Sequence, residues 1–309
     1  MRRLLPLAAL LALAAPAHAD HSWIQPSGTL FSGSNNVATF DAAGSEHVFF
    51  FDHRPVGLDS IQVWKPDGTP GETTAAMTGR LRSVFDVKLD QPGTWKVASL
   101  QTMVVGTFKL DGEERRVGGR GGPPPASGGP GAPATREGGR PAGATATQPP
   151  APGGPAGGGP RRLPPVAVKD IPPEATDVKL TELVTRLETF VTVGEPTTTL
   201  FKPTGKGLEM EPLTHPNAVA AGETLRARFL IDGKPAPGLT VTVIPGGDRY
   251  REETGTITLT TGADGTVAIR WPAAGMYWLG ATATDAHAAE PRAAERRMSY
   301  AATIEVATP

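Results

Sequence analysis

Short runs of alternating apolar and polar residues, each closed by a turn-forming cluster, fill most of this chain. They leave little room for anything but β-structure. In the first part they read SGTLFSG, NVATFDAA, HVFFFDH, DSIQVWKPDG, SVFDVKL, GTWKVASL and VVGTFKLDG. Signals such as Pro66-Asp67-Gly68 and Gln91-Pro92-Gly93 separate them. Period-two alternation places one face of each strand in a core and the other in solvent, and this spacing fits a sandwich. PGTWKVA resembles the late strand of immunoglobulin-like domains, where a turn leads into a strand with one large buried aromatic, here Trp95.

From Ala218 the pattern sharpens. AGETLRARFLIDGKPAPGLTVTVIPGG reads as strand, Asp-Gly-Lys-Pro turn, strand. GTITLTTGADGTVAIRWPAAGMYWLGATA adds three strands around Gly-Ala-Asp-Gly and Pro-Ala-Ala-Gly turns, and YAATIEVATP closes the series. This arrangement resembles the prealbumin-like sandwich, a resemblance that speaks for fold and not for function. The expected fold class is all-β, with two immunoglobulin-like or prealbumin-like sandwich domains.

Gly118–Pro165 interrupts the pattern. More than half of its residues are Gly or Pro, it holds no aromatic, and Leu163 is its one large aliphatic. Such composition cannot bury enough apolar surface to offset its ordering entropy, so a disordered insert is expected. Its charges are mainly Arg120, Arg136, Arg140, Arg161 and Arg162. Adhesion to an anionic surface is one reading of them; a tolerated loop expansion is the simpler one. After it, VKLTELVTRLETFVTV is compatible with an amphipathic helix or a strand pair, and its Thr and Val content favours strand. The expected organisation is a signal peptide over 1–19, an N-terminal sandwich over 20–117, the insert over 118–165, a return segment over 166–207 that completes the first sandwich, and a C-terminal sandwich over 208–309.

The leader sets the expected compartment. Arg2 and Arg3 precede an apolar run from Leu4 to Ala15, and Ala17-His18-Ala19 supplies small residues at the cleavage positions. This is a secretory signal too short to span a bilayer well. No cysteine follows it, which excludes a lipoprotein anchor, and no second long apolar stretch implies a mature protein without a transmembrane segment. The expected location is periplasmic or secreted. Cleavage after Ala19 would leave 28 basic residues against 31 acidic ones, a net charge of −3 with neutral histidines. That balance predicts no affinity for nucleic acid or anionic membrane.

The chain has no cysteine, so a transition metal would be held by imidazoles, carboxylates or the amino terminus. The mature histidines are His21, His47, His53, His215 and His287. The new amine of Asp20, the amide of His21 and its ring can form fused chelate rings around Cu(II) or Ni(II), with the Asp20 carboxylate as a further donor. The alternative is a polar residue at a frayed terminus. His53, in Asp52-His53-Arg54-Pro55, follows the apolar Val48–Phe51 run, read as a strand whose end gives a rigid support. Asp52 could orient its ring, although neighbours on a strand point apart. His47, at the other end of that run, would lie about 20 Å away in an extended chain. His215 stands in EPLTHPN near Glu209, Glu211 and Asn217. It reads either as a ligand at the domain junction or as a buried histidine fixing the linker. The metal candidates are Asp20, His21, His53 and His215; His287 carries no expected role.

Catalysis finds no support. There is no G-x-S-x-G elbow, H-E-x-x-H pair or phosphate-binding loop, so a binding protein and not an enzyme is expected. The ordered phrases HSWIQPS, FFFDHRP, FKPTGKGLEMEPLTHPN, DGKPAPGLTVTVIPGGDRYR and WPAAGMYWLGA go further. Together they resemble a family of secreted bacterial proteins of unknown function, described as the periplasmic component of cobalt or nickel uptake. The resemblance spans both folded regions and implies a periplasmic protein that handles nickel, cobalt or copper beside a membrane transporter. In similar members the histidine of the HSW-like phrase can follow the signal-peptide alanine directly, whereas here Asp20 intervenes, so a terminal histidine chelate is replaced by an Asp-His one. The competing reading is a structural or adhesive envelope module for protein or glycan. Five tryptophans, Trp23, Trp64, Trp95, Trp271 and Trp278, could furnish a glycan platform, but four of them lie in alternating patterns and read as core.

Overall fold

The computed structural model describes residues 21–119 and 164–309. The leader, Asp20 and residues 120–163 of the Gly/Pro-rich insert lie outside the described residues. The described chain is all-β. Its strands before the insert are β1 (His21–Pro26), β2 (Leu30–Phe31), β3 (Asn36–Ser45), β4 (Arg54–Pro55), β5 (Ile61–Trp64), β6 (Thr74–Thr78), β7 (Ser83–Leu89), β8 (Gly93–Leu110) and β9 (Glu113–Val117). After it come β10 (Thr176–Val193), β11 (Leu208–Pro212), β12 (Thr224–Ile231), β13 (Lys234–Pro235), β14 (Thr240–Pro245), β15 (Ile257–Thr260), β16 (Thr266–Arg270), β17 (Gly275–Asp285) and β18 (Ala293–Val306).

Three sheets form. The first runs β1-β3-β7-β6, with β4 also on β3; the third runs β11-β12-β13, with β16 on β12. The second is the longest, β15-β14-β17-β18-β10-β8-β5, with β2 on β10 and β9 on β8. It belongs to both halves of the chain. β10 pairs antiparallel with β8 from Thr176↔Lys109 to Val193↔Gly93, and parallel with β18 from Leu180↔Ala293 to Thr189↔Thr303. The segment that was open between helix and strand pair is thus a single strand with partners on both sides.

The two cores lie on opposite faces of this shared sheet. Leu187, Val191, Trp95 and Val97 join Phe40, Phe85 and Ile24 of the first sheet. On β18, Met298, Tyr300, Ala302 and Ile304 face the other way and pack with Phe229, Leu225 and Trp271, while Ala301 belongs to the first core. One strand with period two therefore serves two cores. Trp95 is 1 % exposed, as its place in PGTWKVA predicts. Asp232 and Gly233, at φ 49° and 76°, turn the chain between paired Ile231 and Lys234, the conformation that a two-residue Asp-Gly hairpin requires.

The HVFFFDH run is not a strand. Between β3 and β4 the chain bends: the Phe50 amide donates to His47 O at 3.2 Å, and the Glu46 amide donates to Asp52 Oδ1 at 3.2 Å. Phe49 adopts φ 64°. The aromatics that suggested a core strand pack instead on Trp23, with ring centroids 5.5 Å (Phe49) and 5.6 Å (Phe51) away. An apolar run of this length reads alike as strand or packed loop.

Candidate metal-binding end of the first sandwich

The backbone at three histidines, His21, His47 and His53, comes near Ser45, the last residue of β3. On one side His21 pairs with Ser45 across β1. On the other, β4 pairs Arg54 with Gly44, and His53 is the bend residue just before β4. Two strand spacings place the His21 and His53 backbones about 10 Å apart. Ser45 is fully buried; its hydroxyl accepts from Trp23 Nε1 at 2.8 Å and donates to His47 O at 2.6 Å. The bend at 46–53 thus overturns the expected separation of His47 from His53, because their neighbours Glu46 and Asp52 are hydrogen-bonded.

Two of these rings are each held by a carboxylate. His53 Nδ1 lies 2.8 Å from Asp52 Oδ1. The side chains of these neighbours do not point apart, because they sit on a bend and not within a strand. Burial raises the Asp52 pKa, but the bonds from His53 and the Glu46 amide outweigh it and hold the carboxyl below its usual range. His47 Nδ1 lies 3.1 Å from Asp248 Oδ2. Asp248 is 5 % exposed, and its Oδ1 is buried without a hydrogen-bond partner. An imidazole whose Nδ1 is fixed by a carboxylate presents Nε2 as its coordinating atom, the arrangement that metal-ligating histidines favour. The His47–Asp248 pair spans 201 positions, and no local motif announces it. His21 packs its ring edge-on against Trp278, with centroids 4.6 Å apart.

His215 is elsewhere and differently used. Its Nδ1 accepts the Asn217 amide at 3.1 Å, which puts the proton of the neutral ring on Nε2, 2.9 Å from Thr94 Oγ1. With both nitrogens engaged, the ring ties the linker to β8, and burial lowers its pKa. Thr94 stands at one end of β8. Gln101, which shares a cavity with Arg54, is seven residues along it, about 23 Å of extended strand. His215 and His53 are not brought together. Asp20 lies outside the described residues.

Among the described residues, one group of three metal-capable side chains has its ligand atoms within 4.8 Å of one another: Asp232, Asp285 and His287. The Arg296 guanidinium already joins both carboxylates at 2.6 Å and holds their pKa values low. That group is an ion-pair cluster.

Fold and site together define a cysteine-free double β-sandwich with carboxylate-backed imidazoles at one end. The chain belongs to the family described as "Domain of unknown function (DUF4198)", whose model matches residues 17–285. No curated protein matches it. Among solved structures it is similar to the D0-D1 domain of intimin, at 11 % identity, covering 92 % of this chain and 97 % of that one, with a TM-score of 0.21. It is similar also to a Salmonella alpha-2-macroglobulin mutant, at 13 % identity, 96 % and 16 % coverage and a TM-score of 0.21. A third is a DUF4785 family protein from Legionella pneumophila, at 7 % identity, 84 % and 50 % coverage and a TM-score of 0.21. At these scores the likenesses say nothing of function.

Proposed function

We propose that this is a periplasmic binding protein, not an enzyme, for a divalent transition metal (nickel, cobalt or copper), acting as an accessory to a membrane uptake system. The metal would be held by the amine and carboxylate of Asp20, the ring of His21 and the ring of His53. The observation that carries this reading is that β1, which begins at His21, and β4, which follows His53, flank the end of β3 on its two sides, with Asp52 fixing the His53 ring. His47, held by Asp248, stands close enough in the chain to support the same end. His215 drops out of the ligand set on geometric grounds. The leader supports the compartment, and among the described residues no helix is long and apolar enough to cross a membrane.

The test is a titration with Ni(II) and Cu(II) of protein carrying the native amino terminus, checked by mass spectrometry. A tagged form, His21→Ala and His53→Ala are titrated beside it. The tag removes the amine from the chelate, and His21→Ala removes both a ring and its bite, so each should weaken binding more than His53→Ala does. Affinity should fall steeply on acidification, because metal must displace protons from amine, amide and imidazole. Equal affinity in all four proteins would refute the terminal site.

A further inference from the structure

The shared sheet ends on β15. The run from Thr254 to Gly262, TGTITLTTG, holds no charge and no proline. Ile257 and Leu259 pack against the core around Phe229, whereas Thr258 and Thr260 are exposed. Two hydrogen bonds fix where the backbone groups of this strand point. The Thr261 amide donates to Leu239 O at 3.0 Å, and the Gly246 amide donates to Met276 O at 2.7 Å. Both continue the registers in which β14 pairs with β15 and with β17. Bonded and non-bonded pairs alternate along an antiparallel ladder, so the odd-numbered residues of β14 bond to β15. Ile257 and Leu259 therefore bond inward, and the N–H and C=O of Thr258 and Thr260 face away from β14. Among the described residues no strand pairs with β15 on that side, since β16 belongs to the third sheet.

Other edges are blunted in the ways that stop strands from adding to one another. At the far end of the same sheet β5 is covered, because the Gly71 amide donates to Val63 O at 2.8 Å. On β1, Ser22 O accepts from Trp278 Nε1 at 3.0 Å. β6 is bulged between Thr74 and Met77, where Ala75 has φ 47°. β9 carries Glu113, Glu114, Arg115 and Arg116. β15 has no charge, no proline and no break in its register.

We propose that β15 is the surface through which two copies of this chain associate, antiparallel, across a two-fold axis at Leu259. That register sets Thr258 of each copy opposite Thr260 of the other. Both are outward-facing residues, so the two pairs exchange four N–H···O=C bonds and the sheet runs on from one copy to the other. Thr–Thr pairs form on the exposed face, and the two Leu259 side chains meet on the core side. A two-fold contact places a strand against itself, so any charge on it would face its own kind; an uncharged strand is the self-complementary one. The same lack of charge gives a foreign strand nothing to be selected by. The contact is short and falls below the roughly 1,000 Å² of a stable interface. Association is therefore weak, half complete near about 0.1 mM. The proposal is independent of the metal reading, whose ligands lie outside β15.

The experiment uses native-terminus protein in EDTA, which excludes metal-bridged association. Sedimentation should show the average mass rising from monomer towards dimer between about 10 µM and 1 mM. Over that range amide exchange at Thr258 and Thr260 should slow about fivefold, as mass action implies. Leu259, bonded inward in either state, should not change. The double variant Thr258→Lys with Thr260→Lys should stay monomeric, and so should Thr258→Glu with Thr260→Glu, both with the melting temperature of the parent. Mixing the two in equal amounts should restore association, because each pair then sets lysine against glutamate. A protein that is monomeric up to about 1 mM would overturn the proposal. So would a dimer whose protection lies away from Thr258 and Thr260, or one that both double variants still form.

Discussion

Among single residues, the histidines divide by what holds their rings. His47 and His53 are each fixed through Nδ1 by a carboxylate, whereas His215 is enclosed in an uncharged network. Thr94 Oγ1 meets both the His215 ring and Thr192 Oγ1, and Asn217 Nδ2 donates to Phe190 O. Burial lowers the His215 pKa below its usual 6.5, so the unfolded chain takes up its proton first as pH falls. The stability associated with the neutral ring is therefore complete above pH 6.5 and is lost as pH drops from there through the folded pKa. His215→Ala should cost about 1–3 kcal/mol at neutral pH by stranding its partners and should flatten this part of the pH–stability curve. Urea unfolding of both proteins from pH 5 to 8 measures it.

Between elements, a buried polar junction joins the shared sheet to the third sheet. Glu209 on β11 accepts from the amides of Thr204, Gly205 and Lys206 and from Thr204 Oγ1, at 2.7–3.2 Å. Arg186 on β10 reaches Glu209 at 3.3 Å and Glu188 at 3.5 Å, and Tyr300 donates to Glu188 at 3.0 Å. Burial, with the Glu188 charge beside it, pushes the Tyr300 phenol well above its ordinary value. Glu209→Gln keeps the shape but leaves Arg186 under-compensated, and it should destabilise by about 3 kcal/mol, measured by chemical denaturation. A second close fit lies between β8 and β10. A Cβ on Gly106 would run into the carbonyl of Lys179, so Gly106→Ala should loosen the small cluster of Phe108, Val117 and Leu180. Hydrogen exchange should report faster opening there and little change at Phe40 or Phe229.

On the scale of the whole molecule, the halves are interlocked. Besides the β10–β18 pairing, Glu305 of β18 accepts from both the amide and the hydroxyl of Thr29, at 2.8 and 2.7 Å. Calorimetry should show one cooperative transition, because unfolding either half uncovers an edge of the shared sheet. An excised 208–309 fragment should fail to unfold cooperatively. The insert enters and leaves at one point: Val117 bridges Val166 in parallel, with Gly118 N to Val166 O at 2.9 Å. Parallel strands leave the ends facing opposite ways, so a replacement for 120–163 must reverse direction. A Gly/Ser linker of about ten residues suffices, and the melting temperature should stay within a few degrees.

The sequence alone determined the β-class, the turns and most of the core, because period-two alternation and Asp-Gly or Pro-Gly chemistry are local: Trp95, Phe85 and the Asp232-Gly233 hairpin follow from it directly. It also named His21 and His53 as chemically able residues. It misjudged Val48–Phe51, since an apolar run reveals burial but not backbone direction. Tertiary structure decided which residues meet. The placement of β1 and β4 on the two sides of β3, the pairing of His47 with Asp248, and that of β10 with β18 depend on strand order and on side chains as many as 201 positions apart. Long-range register is set by the competition of whole sheets for the same core, which no window of sequence contains.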